Sequence, residues 1–314
     1  MRVMDKQKLV TVLGPTAVGK TKTSIELAKA LDGEIISGDS MQIYRGMDIG
    51  TAKVTEEEME GIPHYLIDIK EPKESFSAAE FQKLATELVA DINSRGKVPI
   101  IAGGTGLYVK SVTHQYAFSE AKEDPAYRQQ LEQQAEEEGA VTFHARLKDV
   151  DPVSYEAIHP NNVRRVIRAL EVYHVTGEPV SASKDALPEE SPYHLVNVGL
   201  TMDRDILYER INKRVDNMME DGLLEEAQRL YKNGIRHCQS VQAIGYKEIY
   251  NYLEDRISLE EAVLELKQNS RRYAKRQLTW FRHQMAMDWY DMTAHREEKI
   301  NEILKVVAGK LAER

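Results

Sequence analysis

Hydrophobic and polar positions follow two alternating periods through the first third of the chain. Short apolar runs with the length of strands occur at residues 9–13, 34–37, 65–68 and 98–102. Residues 20–31 and 78–94 instead carry apolar side chains at the three- and four-residue spacings of amphipathic helices. This alternation predicts an α/β fold built on a doubly wound parallel sheet. Because ligands of such folds bind beyond the carboxyl ends of the strands, the residues after each run are expected to meet in one cleft.

The pattern changes near residue 118. Residues 118–193 are polar, acidic and helix-forming, and strand character returns at residues 195–200. The remainder is helical, apart from a short apolar run at residues 287–290. We therefore predict two domains. A core of residues 1–117 and 194–314 ends in a helical C-terminal part, and a helical insertion of residues 118–193 separates two strands of that core.

Composition narrows the class of protein. The chain has 314 residues, of which 42% are hydrophobic and 30% are charged, as in soluble globular proteins. Its N-terminus lacks the apolar stretch of a signal peptide, and its longest apolar stretch is interrupted by glycines and too short to span a bilayer. The single cysteine, Cys238, excludes an intramolecular disulfide and a cysteine-rich zinc site. We expect a cytoplasmic protein that acts as a monomer, with neither membrane nor zinc among its partners.

The first apolar run leads into the pattern G-x-x-x-x-G-K-[ST], which lies between a predicted strand and a predicted helix. In such a loop the backbone N–H groups point inward, and the N-terminus of the helix adds partial positive charge. Lys20 supplies a full positive charge, and the Thr21 hydroxyl is placed to bind Mg²⁺. The loop is therefore predicted to bind a polyphosphate or diphosphate through Gly14, Pro15, Thr16, Ala17, Val18, Gly19, Lys20 and Thr21.

Two carboxylates and a glycine-rich loop follow the other predicted strands. Asp39 could hold Mg²⁺ through water, act as a general base or cap a turn. Asp68 is the rival carboxylate and is placed where an NTPase has its metal-organising acid. Residues 103–106, Gly-Gly-Thr-Gly, either let the backbone approach a ligand beside Thr105 or form a tight strand-to-helix turn.

Basic residues are concentrated in one helix despite a net charge of −9. Residues 267–287 contain six Lys or Arg and no Asp or Glu. Ala274, Leu278, Phe281 and Met285 recur at the spacing of a core-facing stripe, which leaves the basic side chains on the rest of the helix. The interleaving of cations with aromatic side chains suits nucleic-acid phosphates, although a solvated or protein-binding face has the same pattern.

A second helix with clustered arginines is predicted after Pro160. Its apolar stripe leaves Arg164, Arg165 and Arg168 on the polar side, and an asparagine is placed to cap its start. Three arginines on a short helix suit phosphates, whereas a solvated face is the more common explanation.

The phosphate loop and residues 39–53 together resemble the tRNA dimethylallyltransferases, enzymes that prenylate N6 of adenosine 37 beside the anticodon. Residues 103–108, 162–172, 242–246 and 273–282 are also similar to segments of that family and occur in the same order. The resemblance covers nearly the whole chain. Eukaryotic members carry an additional zinc finger, which a chain with one cysteine cannot form, so the bacterial form is implied.

The resemblance implies a P-loop NTPase/kinase-like core with a helical insertion and a channel through the core. It implies that the loop grips the diphosphate of dimethylallyl diphosphate rather than ATP, with Mg²⁺ bound at Thr21. It assigns the general base to Asp39 and catalytic contacts to Thr105, Lys20 and Arg214. The family's contacts with the tRNA anticodon stem-loop map onto Asp39, Ser40, Met41, Gln42, Thr105, Arg128, Asn162, Val163, Arg164, Arg165, Gln242, Ala243, Ile244, Gly245 and Tyr246, and the pattern of the basic helix adds Arg272 and Arg276.

Three other functions are compatible with parts of the pattern. A P-loop small-molecule kinase would explain the phosphate loop but not the basic C-terminal helix. An isopentenyltransferase that acts on free adenine nucleotides would carry out the same chemistry without RNA. An RNA-binding NTPase-like switch would bind tRNA without transferring a group.

Overall fold

A computed structural model describes residues 6–118, 124–183 and 190–313 of the chain. The chain divides into two compact units, a core of residues 1–114 and 191–314 and a second unit, Gln115–Glu190. The sequence predicts an insertion of residues 118–193. Among the described helices, none is both long and apolar enough to cross a membrane.

The strands of the core are β1 (Lys8–Leu13), β2 (Gly33–Ser37), β3 (His64–Tyr65), β4 (Val98–Gly103), β5 (His194–Thr201) and β6 (Asp288–Asp291). They form one parallel sheet with the order β3-β2-β4-β1-β5-β6. The predicted α/β class with a parallel sheet is confirmed. Because β4 lies directly beside β1, with Leu13 opposite Gly103, the loops that follow these two strands emerge side by side.

The helices are α1 (Lys20–Leu31), α2 (Glu56–Met59), α3 (Ala78–Ser94), α4 (Gly106–Thr113), α5 (Pro125–Glu138), α6 (Ala140–Ala145), α7 (Leu147–Val150), α8 (Pro152–Ala157), α9 (Val163–Thr176), α10 (Arg204–Glu220), α11 (Leu223–Lys232), α12 (Tyr246–Leu253), α13 (Leu259–Gln284) and α14 (Arg296–Ala312). The helices predicted at residues 20–31 and 78–94 are α1 and α3, with the expected bounds. Ser77 begins α3 with a reciprocal capping box to Glu80, which fixes its first turn.

The sheet separates two hydrophobic clusters, and β1 contributes to both because successive side chains of a strand point to opposite faces. Leu9 and Leu13 join the cluster that includes α3, α4 and α12. Val10 and Val12 join the cluster that includes α1 and α14. Burial on both faces explains why the parallel strands are nearly continuous apolar runs in the sequence.

The predicted third strand is mostly wrong. It covers residues 65–68, but β3 ends at Tyr65, and Leu66 and Asp68 have left-handed backbone conformations with φ of 61° and 54°. The chain turns here because the Asp68 and Lys70 amides donate hydrogen bonds to the carbonyls of Gln42 and Ile43. A short apolar run in the sequence reveals neither this turn nor its hydrogen-bond partners, which lie 26 and 27 residues earlier.

The second unit is helical and has its own apolar core, which includes Leu131, Phe143 and Val166. Its helix α9 contains Glu171, which is completely buried and pairs with Arg128 and Arg168 at 2.8 Å each. Glu171 also accepts a hydrogen bond from the Asp124 amide, so one carboxylate holds the start of α5 against α9.

Candidate active site

A cavity of about 520 Å³ lies at the carboxyl ends of the central strands. The loops after β1 and β2 and the start of α1 form one side, and α10 and α13 form another. Its polar and charged lining includes Lys20, Thr21, Asp39, Arg210 and Arg214. The sequence prediction of a single cleft beyond the strand ends is thus confirmed for the loops that follow β1 and β2.

The phosphate loop has the backbone that its sequence predicts. Gly19 has a φ of 111°, which favours glycine, and Ala17 adopts a left-handed conformation with a φ of 64°. The Lys20 ammonium donates to the Pro15 carbonyl at 2.8 Å, and the Arg210 Nε donates to the Ala17 carbonyl at 2.9 Å. Two hydrogen bonds therefore stabilise the conformation of the loop, one from its own Lys20 and one from Arg210 of α10.

Positive charge is desolvated beside this loop. Burial, with a further contribution from the nearby Arg214 charge, lowers the pKa of Lys20 to about 8, whereas the Asp39 charge acts in the opposite direction. Burial also lowers the pKa of Arg214 below its usual value, again opposed by the Asp39 charge. Two cations whose charges are poorly solvated favour an anionic ligand, because its charge replaces the solvation that burial removes.

Asp39 faces the cavity and caps a turn at the same time. Its Oδ1 accepts a hydrogen bond from the Met41 amide at 2.9 Å. The cap orients the carboxylate, and its charge acts on Lys20, Arg214 and Tyr273. The turn-capping and functional interpretations of Asp39 therefore do not exclude each other.

Thr105 connects the loop after β4 to the loop after β2. Its Oγ1 accepts a hydrogen bond from the Ser40 amide at 3.1 Å and lies 3.3 Å from the Ser40 hydroxyl. Thr105 itself lines a second cavity of about 190 Å³, which shares Tyr273, Arg276 and Gln277 with the first. Burial, followed by the Asp39 charge, raises the pKa of Tyr273 to about 12, so its hydroxyl is a neutral donor at this junction.

One wall of the large cavity is built from residues 50–52 and 242–244. Behind this wall lies Glu226, a buried carboxylate that the sequence analysis did not single out. It accepts hydrogen bonds from the amides of Asp48, Ile49 and Gly50 at 2.9–3.0 Å and from the Tyr246 hydroxyl at 2.6 Å. Glu226 thus fixes a stretch of backbone that faces the ligand space.

The position of Tyr246 corrects one prediction. Gln242, Ala243 and Ile244 line the cavity as expected of a ligand-contacting segment. Tyr246 is 0% exposed and is bonded to Glu226, so its side chain supports the wall rather than contacting RNA. Gly245 is also buried, where its amide is bonded to Glu248 at 2.8 Å.

His64 of β3, Ile67 and the end of β4 at Gly103 also line the cavity, whereas Asp68 does not. Its carboxylate pairs with Lys53 at 2.5 Å, and Lys53 also pairs with Asp48 and donates to the Tyr44 carbonyl. The Lys53 side chain is only 6% exposed, so these bonds fasten the loop after β2 from behind.

The basic helix is α13, and its faces divide as predicted. Ala274, Phe281 and Met285 are buried, whereas Arg272 and Arg276 are exposed. Arg271 is less available for a phosphate contact than these two arginines, because its guanidinium donates a hydrogen bond to the Asn212 side chain of α10 at 2.5 Å. Arg276 lines the cavity and lies 5.7 Å from the centroid of the Tyr273 ring, so α13 brings surface charge to the cavity rim.

The remaining candidates lie in the second unit. Asn162 is the residue before α9, but its side chain makes no cap hydrogen bond. Asn162, Arg164 and Arg165 are exposed and Val163 is half-buried, whereas the Arg128 guanidinium is paired with buried Glu171. Their predicted contacts with tRNA stay predictions.

Sequence reasoning missed three residues that organise the site: Arg210, Glu226 and Gln277. A signal existed for Arg210, because it precedes Arg214 by one helical turn and therefore shares its face of α10. For Glu226 the backbone partners lie 176–178 residues earlier in the chain, and no local pattern marks them.

Comparison with known proteins identifies the family. The family model described as IPP transferase matches residues 42–284. A curated tRNA dimethylallyltransferase of Bacillus cereus strain AH187 is 60% identical over 311 residues, which cover 99% of this chain and 98% of the relative. A tRNA dimethylallyltransferase of Bacillus anthracis is 61% identical over 308 residues, which cover 98% of each chain.

Solved structures agree. A full-length tRNA isopentenylpyrophosphate transferase of Bacillus halodurans matches with a TM-score of 0.75 and 58% identity, covering 98% of this chain and 97% of that one. A eukaryotic dimethylallyltransferase acting on tRNA matches with a TM-score of 0.83 and 29% identity, covering 97% of this chain and 79% of that one. The cavity therefore lies in a fold shared with these transferases over nearly its whole length, and the chain belongs to the IPP transferase family.

Proposed function

We propose that the chain transfers a dimethylallyl group from dimethylallyl diphosphate to N6 of adenosine 37 in the anticodon loop of tRNA, giving N6-dimethylallyladenosine and diphosphate. The observation that carries this proposal is one cavity that joins a cationic phosphate loop to an oriented carboxylate, Asp39. The proposal includes action as a monomer in the cytoplasm.

The phosphate loop serves the leaving group. As the allylic C–O bond breaks, the diphosphate gains negative charge and the five-carbon fragment becomes cationic. Lys20 and Arg214 stabilise that developing negative charge from positions that are already desolvated, so little reorganisation is needed. On binding, the diphosphate replaces the Pro15 carbonyl as the partner of Lys20.

Mg²⁺ is the proposed cofactor, and the donor set suits it. Thr21 offers a hydroxyl oxygen to the cavity directly after Lys20. Mg²⁺ is usually held by one or two protein oxygens together with substrate phosphates. Among the described residues there is no cluster of three or more His, Cys, Asp or Glu that would form an all-protein cage. When bound, the ion neutralises charge on the departing diphosphate.

Asp39 serves the nucleophile. The exocyclic N6 amine is a weak nucleophile because its lone pair is delocalised into the adenine ring. As the N–C bond forms and the C–O bond breaks, N6 must lose one proton, which passes to the Asp39 carboxylate. A positioned base of this kind contributes about 10²–10⁴-fold to the rate. The Met41 amide holds one oxygen of Asp39 and thereby orients the carboxylate.

An apolar part of the same cavity suits the dimethylallyl group. It includes Met41, Val215, Met218, Ile244 and Leu266. Along α10, the cavity is lined by Arg210, Ile211, Arg214, Val215 and Met218, so both of these arginines precede the apolar pair Val215 and Met218. A diphosphate with a short hydrocarbon tail has the same change of polarity along its length.

The exposed basic residues of α13 supply the RNA contact. Arg276 is exposed and lines the cavity, and Arg272 is exposed on the same helix, where phosphates of a loop whose base enters the site can reach them. Extruding a base from the stack costs a few kcal/mol, roughly, and costs least in a single-stranded loop.

Discrimination between substrates tests this proposal. The enzyme is incubated with Mg²⁺ and dimethylallyl diphosphate in the presence of tRNA, of AMP or of no acceptor, and released diphosphate is measured; parallel reactions contain ATP alone. We expect rapid release only with tRNA and no hydrolysis of ATP. Equal turnover with AMP would instead indicate a free-nucleotide isopentenyltransferase, and ATP hydrolysis without prenyl transfer would indicate a kinase or switch.

A further inference from the structure

The Gln277 side chain hydrogen-bonds two loops of the active site: the phosphate loop, which is proposed to bind the donor, and the loop after β4, which contains Thr105. Its side-chain Oε1 accepts a hydrogen bond from the Thr16 amide in the phosphate loop at 3.0 Å. Its Nε2 donates to the Gly104 carbonyl, beside Thr105, at 3.0 Å. Gln277 is 7% exposed, and its amide lies so close to Gly104 that a Cβ atom at that position would overlap it.

Only a primary amide of this length can make both bonds. The Thr16 amide is a donor and needs an acceptor, whereas the Gly104 carbonyl is an acceptor and needs a donor. The two partners therefore fix which end of the Gln277 amide is oxygen. A glutamate would accept from Thr16 but oppose the Gly104 carbonyl with negative charge, and a methionine would fill the space without either hydrogen bond.

These hydrogen bonds continue toward the loop after β2, which carries Asp39. Thr105 follows Gly104 and is bonded to the Ser40 amide, and Ser40 follows Asp39. Tyr273 lies one helical turn before Gln277 on α13, and both residues line the two cavities. A short series of hydrogen bonds therefore connects the loop that holds the donor to the segment that carries the proposed base.

We propose that Gln277 is a positioning residue for prenyl transfer, which sets the separation between the donor diphosphate and the acceptor amine by holding the phosphate loop against the Gly104–Thr105 loop. Because the Gln277 Oε1 already accepts the hydrogen bond of the Thr16 amide, Gln277 positions the phosphate loop and does not bind the diphosphate itself. This inference rests on the proposed function. A displacement of about 1 Å between reacting groups costs about 10²-fold in rate, although each substrate still binds.

The test compares Gln277→Met and Gln277→Glu with Gln284→Met, a matched control that changes an exposed glutamine at the end of the same helix. Single-turnover transfer is measured with saturating dimethylallyl diphosphate and an anticodon stem-loop. Donor Kd is measured separately with a non-reactive thiolodiphosphate analogue, and Tm is recorded for each variant. For Gln277→Met we expect the single-turnover rate to fall by about 10–100-fold with little change in donor Kd, and for Gln284→Met no change.

For Gln277→Glu we expect the same loss of rate, together with weaker donor binding, because the new carboxylate lies beside the loop that binds the diphosphate. A double-mutant cycle provides the second measurement. Gly104→Ala displaces the Gln277 amide, so the losses from Gly104→Ala and Gln277→Ala are expected to be strongly non-additive.

A single-turnover rate of Gln277→Met close to that of the unaltered enzyme would overturn the proposal. So would a loss that follows Tm and disappears at lower temperature, or full additivity in the cycle, because a purely structural role predicts those results. Failure of the proposed function is distinguishable, since the unaltered enzyme would then form no prenylated RNA with any concentration of donor.

Discussion

Replacing Glu226 by glutamine should loosen the wall of the active site from behind. The Glu226 carboxylate is 4% exposed and accepts four hydrogen bonds, three from backbone amides and one from the Tyr246 hydroxyl. Oε2 accepts from Asp48 and Ile49, and Oε1 accepts from Gly50 and Tyr246. Because every partner is a donor, a glutamine amide places its own N–H groups against at least one backbone N–H in either orientation.

The size of the effect follows from this geometry. A hydrogen bond to a charged group contributes about 1.5–3 kcal/mol, and leaving a buried donor unpaired costs about 1–3 kcal/mol. Water from the cavity can reach part of residues 48–50, which reduces the loss. We therefore expect Glu226→Gln to lower the free energy of unfolding by about 2–4 kcal/mol and to raise the KM for dimethylallyl diphosphate.

Urea unfolding followed by tryptophan fluorescence measures this change, because Trp280 and Trp289 both lie in the core unit. The midpoint should fall with an unchanged slope, and Glu225→Gln, which alters the exposed neighbouring carboxylate, should leave it in place. A free energy of unfolding for Glu226→Gln within about 0.5 kcal/mol of the unaltered protein, the range of ordinary surface substitutions, would refute the reasoning.

Three further predictions address the site directly. Asp39→Ala should lower kcat by about 10²–10⁴-fold while tRNA affinity, measured by filter binding, changes little; an active variant would exclude Asp39 as the base. Arg272→Ala combined with Arg276→Ala should weaken tRNA binding and reduce the slope of its log–log salt dependence by about 1–2, with donor binding retained; an unchanged slope would contradict the assigned RNA face. Because the pKa of Lys20 is lowered to about 8 in the ligand-free protein, affinity for the thiolodiphosphate analogue should be constant from about pH 7, where its terminal phosphate is ionised, to pH 8 and fall above it as Lys20 loses its charge. Lys20→Arg should bind without that decline, and the same decline in Lys20→Arg would assign the titration to another group.

Local chemistry explains which parts of this structure the sequence predicts well. The phosphate loop and α1 depend on residues within one continuous segment, so the pattern of glycines and the apolar spacing contain the needed information. The α3 helix likewise begins at a capping box that can be recognised from Ser77 and Glu80. The parallel sheet follows from strands buried on both faces, as in β1 and β4.

The errors arise where distant residues decide the conformation. Residues 66–68 turn away from the sheet because the loop after β2 offers them backbone partners. Tyr246 belongs to a segment that resembles an RNA-contacting one. Its side chain is nevertheless buried, because its hydroxyl donates a hydrogen bond to Glu226, 20 residues earlier in the sequence. The Gln277 bridge spans 261 residues to Thr16 and 173 to Gly104, and nothing in the basic pattern of α13 distinguishes this glutamine from an exposed one.

The most direct test of the central claim is nucleoside mass analysis of an unmodified tRNA after reaction with the protein, Mg²⁺ and dimethylallyl diphosphate. We predict that one adenosine, at position 37, gains the mass of a single five-carbon prenyl group, and that a tRNA with guanosine at that position gains none. An unmodified adenosine 37 after exhaustive incubation, or a prenyl group found on another nucleotide, would contradict it.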